Sequence, residues 1–145
     1  MSTSTHASTV IAKPIDQIWE ILRSFTSASL ISTIESVDME EGKAPTEVGA
    51  HRTLKWKTGE VVTQRLLELS DIKRRVVWEN VSSEPVAEVT ATITTLQAHR
   101  ITDGNATLLT WTAEYSADAK GDFIAFNTKA LQQNLAELKN ALEQQ

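Results

Sequence analysis

The sequence predicts an α+β chain, a seven-stranded antiparallel sheet with two short helices after its first strand and one long helix at the C-terminal end. Three observations predict it. Between Ser36 and Ala117 apolar residues recur with period two, interrupted at regular spacing by the turn signals EEGKAP, KTGE, LSDIKR, SSEP and TDGN. Before that stretch Ile15, Ile18, Trp19 and Leu22 recur at helical spacing, and after it Leu131, Leu135, Leu138 and Leu142 do so over about six turns. A helix of that length following so many strands is buried most readily by lying across a curved sheet.

In chain order, residues 6 to 12 read as the first strand. KPIDQIWEILRSF then reads as an amphipathic helix, with Pro14 suited to its first turn and Trp19 facing the core. SASLISTI reads as a second short helix ending near Glu35. Six strands follow, and TDGN sets the best local register. With Asp103 and Gly104 in the turn, Leu96 falls opposite Trp111, Thr94 opposite Ala113 and Thr92 opposite Tyr115. These six residues share the covered face, and Gln97, Thr95, Thr112 and Glu114 share the other. His99 belongs with the solvent face. At KTGE an odd-numbered loop, the expected form, brings Trp56 and Gln64 to one face, whereas a two-residue turn at Thr58 and Gly59 separates them. After Gly121, Asp122 is the expected N-cap of the last helix.

Composition bounds the function. A chain of 145 residues holds one domain, residues 1–145, with a sizeable core. It is 41% hydrophobic and 23% charged, with a net charge of −5 and a pI near 5.2, so it lacks the basic footprint of a nucleic-acid binder. The absence of Cys excludes disulfides, thiol nucleophiles and thiolate metal sites. MSTSTHASTVIAKP lacks the apolar region of a signal peptide, and no run reaches membrane-spanning length. The expectation is a cytoplasmic protein without membrane insertion, a monomer or weak homodimer. His6, His51 and His99 are not spaced as a metal site, and no nucleophile, phosphate-loop or dinucleotide motif occurs, so no metal and no cofactor is expected.

RRVVWENVSS, residues 74 to 83, poses the functional question. It reads as a strand, and Asn80 two places after Trp78 points to the same side of the sheet. In a closed core the amide needs a protein partner such as Thr92 or Gln64; on a cavity wall a ligand or water serves.

The order IAKPIDQIWEILRSF, GAHRTLKW, QRLLELSDIKRRVVWENVSSE resembles the START-like (SRPBCC) superfamily, which includes the birch pollen allergen, polyketide cyclase-like proteins and plant abscisic-acid receptors. The resemblance spans about residues 8 to 142 and implies a helix-grip fold, a curved seven-stranded sheet around the C-terminal helix with a ligand cavity between them. Laid on the abscisic-acid receptors, it implies cavity positions at Glu35, Trp56, Gln64, Trp78, Asn80, Thr90, Thr92, Ala113, Phe126, Ala130 and Asn134. The hairpin count adds Trp111 and Tyr115. Two departures stand out. Glu35 occupies the place of the receptors' carboxylate-binding lysine, and the gate and latch loops read KTGEVV and SEPVAEV, so abscisic acid is not the expected ligand.

Three functions follow as expectations. The preferred one is a binder of a small hydrophobic molecule such as a lipid, polyketide, quinone or aromatic metabolite. It is held against Trp78 and Trp56 and oriented by Asn80, Gln64, Tyr115 and Asn134. The alternative is a cofactor-independent cyclase, dehydratase or isomerase in which Glu35 or Tyr115 moves protons. A third is an interaction module resembling heat-shock ATPase activators. Each aromatic residue also has a plain packing role open to it, Trp19 and Trp111 above all.

Overall fold

The computed structural model describes residues 3–145. Strand β1 (Ser4–Ile11) leads into helix α1 (Ile15–Leu22) and a short 3-10 helix (Ser27–Leu30). Six strands follow, β2 (Ile34–Met39), β3 (His51–Trp56), β4 (Val61–Ser70), β5 (Arg75–Glu84), β6 (Thr92–Ile101) and β7 (Ala106–Tyr115), and the chain ends in α2 (Gly121–Glu143). All seven strands form one antiparallel sheet in the order β1-β7-β6-β5-β4-β3-β2. The α+β helix-grip architecture is therefore as the sequence predicts.

The alternating pattern sets the faces. Along β7 buried and part-exposed residues alternate from Ala106 to Ala113, and β6 pairs with it as counted, Leu96 to Trp111, Thr94 to Ala113 and Thr92 to Tyr115. The turn between them places its positive φ on Gly104 and Asn105, residue types that tolerate the left-handed region. At KTGE the loop is odd. Arg52 pairs with Gln64 and Leu54 with Val62, and the Trp56 N–H donates to the Glu60 carbonyl at 2.9 Å, so Trp56 and Gln64 do share a face. Two bulges between β4 and β5 leave Leu67 and Val81 without a partner residue. Such insertions bend and twist the pair, and the one at Val81 brings Asn80 opposite Gln64.

Two local expectations are corrected. The short helix ends at Leu30, and Ile34 already belongs to β2, because apolar Ile34 takes an inward strand position. The N-cap of α2 is Lys120; Asp122 lies in the first turn, where its charge suits the positive end of the helix dipole.

The closed core sits where α1 and the C-terminal half of α2 meet the sheet. Ile11, Ile18, Leu109 and Leu142 are fully buried there, with Ile15, Leu22, Leu135 and Leu138 nearly so. Trp19 joins this core, its indole N–H donating to Asp71 Oδ1 at 2.8 Å.

Candidate functional site

Helix α2 does not close on the sheet along its whole length, although Phe123 and Ile124 in its first turn pack against the buried cluster of Ala113 and Tyr115. The four buried residues of the helix, Leu131, Leu135, Leu138 and Leu142, run from its middle to its C-terminal end. Over the remainder the inner face of the sheet borders a cavity of about 450 Å³.

The structure brings most of the expected residues to this cavity. From the sheet come Trp56 on β3, Gln64 on β4, Trp78 and Asn80 on β5 and Thr92 on β6, with Trp111, Ala113 and Tyr115 on β7; α2 contributes Phe126 and Asn134. Ala130 is not among the lining residues. It lies half-exposed on the helix, its single methyl set between the lining positions Phe126 and Leu131. Thr90 is drawn outward by Asp118, whose Oδ2 accepts from its N–H at 3.0 Å and its hydroxyl at 2.8 Å. Glu35 is exposed and away from the cavity, which corrects its expected cavity position. The β2–β3 register shifts between Ile34 and Ser36, and with Ile34 inward its neighbour points to solvent. The carboxylates that do border the cavity are Glu60 and Glu88, both exposed.

The question posed by Asn80 has a structural answer. Its Oδ1 accepts from Gln64 Nε2 at 3.0 Å, and Gln64 Oε1 in turn accepts from Arg52 Nε at 2.8 Å. Arg52 also donates through Nη1 to the Phe25 carbonyl at 2.8 Å. It is only 4% exposed, and no carboxylate lies within ion-pair distance of it among the described residues. The rings of Phe25 and Trp78 cover the guanidinium, their centroids 3.8 and 4.7 Å from its central carbon. Aromatic faces attract a cation and offset part of its desolvation. Burial pushes the group down to about 9, which leaves it charged at neutral pH.

Arg52 escaped the sequence reading because arginine is rarely buried. The signal was present all the same, since the odd KTGE loop that aligns Trp56 with Gln64 also sets Arg52 directly opposite Gln64 on the inner face.

The aromatic wall is continuous. Trp78 lies 6.2 Å from Phe25 and 6.1 Å from Trp111 between ring centroids, and the Trp111 indole N–H has no acceptor among the described residues. At the other end Tyr115 meets Phe123 edge to face at 5.0 Å, and its hydroxyl hydrogen-bonds Thr5 Oγ1 at 3.1 Å. Burial raises the Tyr115 pKa and the Thr5 hydrogen bond opposes the rise. Among the described residues no group of three or more His, Cys, Asp or Glu converges on a metal-binding position, and no helix is long and apolar enough to cross a membrane.

Solved structures share this architecture throughout. A protein of Nitrosospira multiformis, 23% identical, superposes with a TM-score of 0.84 over 96% of this chain and 95% of its own. XoxI from Bacillus cereus, 22% identical, gives 0.80 over 98% and 96%, and a Thermobifida fusca protein, 19% identical, gives 0.80 over 98% and 94%. At these identities the likeness establishes the fold. No curated protein matches the chain. The family described as "Polyketide cyclase / dehydrase and lipid transport" matches residues 2–143, and with that coverage the chain belongs to it, within the START-like superfamily.

Proposed function

We propose that the protein binds a small, largely hydrophobic molecule in the cavity between the sheet and α2. The observation that carries this reading is the makeup of the wall. Aromatic rings of Trp56, Trp78, Trp111 and Phe126 alternate with the polar groups of Gln64, Asn80, Thr92 and Asn134 around about 450 Å³ of space. So many polar groups are costly in a dry core, whereas an apolar wall with a few convergent polar groups is the usual makeup of a small-molecule site. Membership of a family whose description includes lipid transport supports the same reading. In this account Trp78 and Trp56 supply contact area, and the Asn and Gln amides fix orientation.

Native mass spectrometry of freshly purified protein, followed by denaturing extraction, tests the reading. The expected result is a bound compound of defined mass at one per chain, released on unfolding. A chain that purifies empty and also ignores neutral hydrophobic probes contradicts it.

A further inference from the structure

Arg52 is a buried cation with no carboxylate within ion-pair distance among the described residues. A guanidinium has five N–H bonds; Nε and Nη1 use two of them on Gln64 and Phe25, which leaves three without an acceptor among the described residues. Arg52 is also the one Lys, Arg or His among the residues lining the cavity.

The charge dictates the polarity of its neighbours. Arginine only donates, so Gln64 must offer it Oε1 and turn Nε2 toward Asn80. Asn80 must then accept with Oδ1, and its own NH₂ is left as the free end of the chain. Donors without acceptors therefore collect on one side of the cavity. A neutral ligand satisfies hydrogen bonds there but leaves the buried charge unbalanced; an anion satisfies both.

The far end of the cavity is the reverse. Val86 and Phe126 line it and are nonetheless 85% and 74% exposed, which places them at its opening beside the exposed Glu60 and Glu88. Charge thus changes sign inward, from an opening of exposed apolar side chains and two carboxylates to a cationic interior. Two carboxylates at the opening and a single cation inside favour a ligand with one negative charge over one with two.

Resting on the cavity reading above, we infer that the ligand class is an amphiphilic monocarboxylate, bound head inward with its carboxylate on Arg52 and the Asn80 amide and its hydrophobic body toward Phe126 and Val86.

Calorimetric titration with laurate and with lauryl alcohol, which share a chain and differ in the head, tests this. The wild type is expected to bind laurate more tightly by about tenfold or more, the usual scale of a charge-assisted hydrogen-bonded pair. Arg52→Met is expected to bring the ratio near one. Asn80→Asp, which puts a carboxylate at the free end of the chain, is expected to lower the ratio without removing Arg52. The wild-type ratio stands independently of how either variant folds. Equal binding of acid and alcohol by the wild type overturns the inference and leaves the cavity reading intact, as does an Arg52→Met protein that keeps the preference. Failure of both ligands to bind the wild type removes the cavity reading and this inference with it.

Discussion

The two halves of α2 meet the same sheet in different ways. The C-terminal half presents Leu135 and Leu142 to an apolar surface that includes Ile11 and Leu109, where the interface closes, while Leu131 and Leu138 are buried and also border the cavity. The N-terminal half sets Phe123 edge to face on Tyr115, and beyond that contact Phe126 and Asn127 border a cavity. One helix thus serves as structural clamp and as cavity wall, and the division follows side-chain chemistry. Leucine against isoleucine gains from excluding water along its whole length, whereas a sheet face carrying Arg52, Gln64, Asn80 and Thr94 loses hydration if it is sealed with nothing to replace the water.

Truncation breaks this comparison most sharply. Leu135→Ala, at a side chain 2% exposed in the clamp, is expected to cost about 2–5 kcal/mol in urea unfolding. Phe126→Ala, larger but 74% exposed, is expected to stay within about 0.5 kcal/mol. Similar losses at both positions would mean that the two halves are packed alike. Enlargement gives the converse at intermediate size. Ala98→Leu in the closed core is expected to destabilise by about 1–3 kcal/mol through overpacking. Ala113→Leu, facing the cavity, is expected to cost less than about 1 kcal/mol because space is there to receive it.

The smallest effect lies at the edge of the clamp. Asp71 accepts hydrogen bonds from Arg23 and from the Trp19 indole, and these, Arg23 first, hold its carboxyl below the ordinary value. A depressed carboxylate pKa contributes stability above the unfolded-state value and loses it as pH falls through the folded-state value. The Tm advantage of the wild type over Asp71→Asn is therefore full at neutral pH and shrinks below about pH 4. An advantage that stays constant down to strong acid would contradict the assignment.

Much of the fold was legible because its signals are local. The β6–β7 register followed from TDGN and two-residue alternation, and the clamp from four leucines at helical spacing. The odd loop at KTGE was enough to place Trp56 and Gln64 together. The misses arise where one residue changes the phase. The register shift beside Ile34 turned Glu35 to solvent, and no residue type in that stretch announces it. On α2 the cavity-facing sector is set by how the helix tilts off the sheet, so Ala130 could not be excluded from spacing alone. Arg52 was missed for another reason: alternation placed it inside, but its residue type argued for the surface, and only the aromatic faces of Phe25 and Trp78 make the inner position tenable. Asn80 was identified as decisive from its strand position, yet its partner depended on the bulge at Val81.

Whether the cavity beside α2 holds a small hydrophobic molecule is decided by titrating the neutral fluorophore N-phenyl-1-naphthylamine into wild type and Ala113→Leu. Saturable binding at one site per chain is expected in the wild type, weakened by about tenfold or more when the added side chain enters the cavity. Unsaturable binding, or equal affinity in a variant that melts like the wild type, would contradict it.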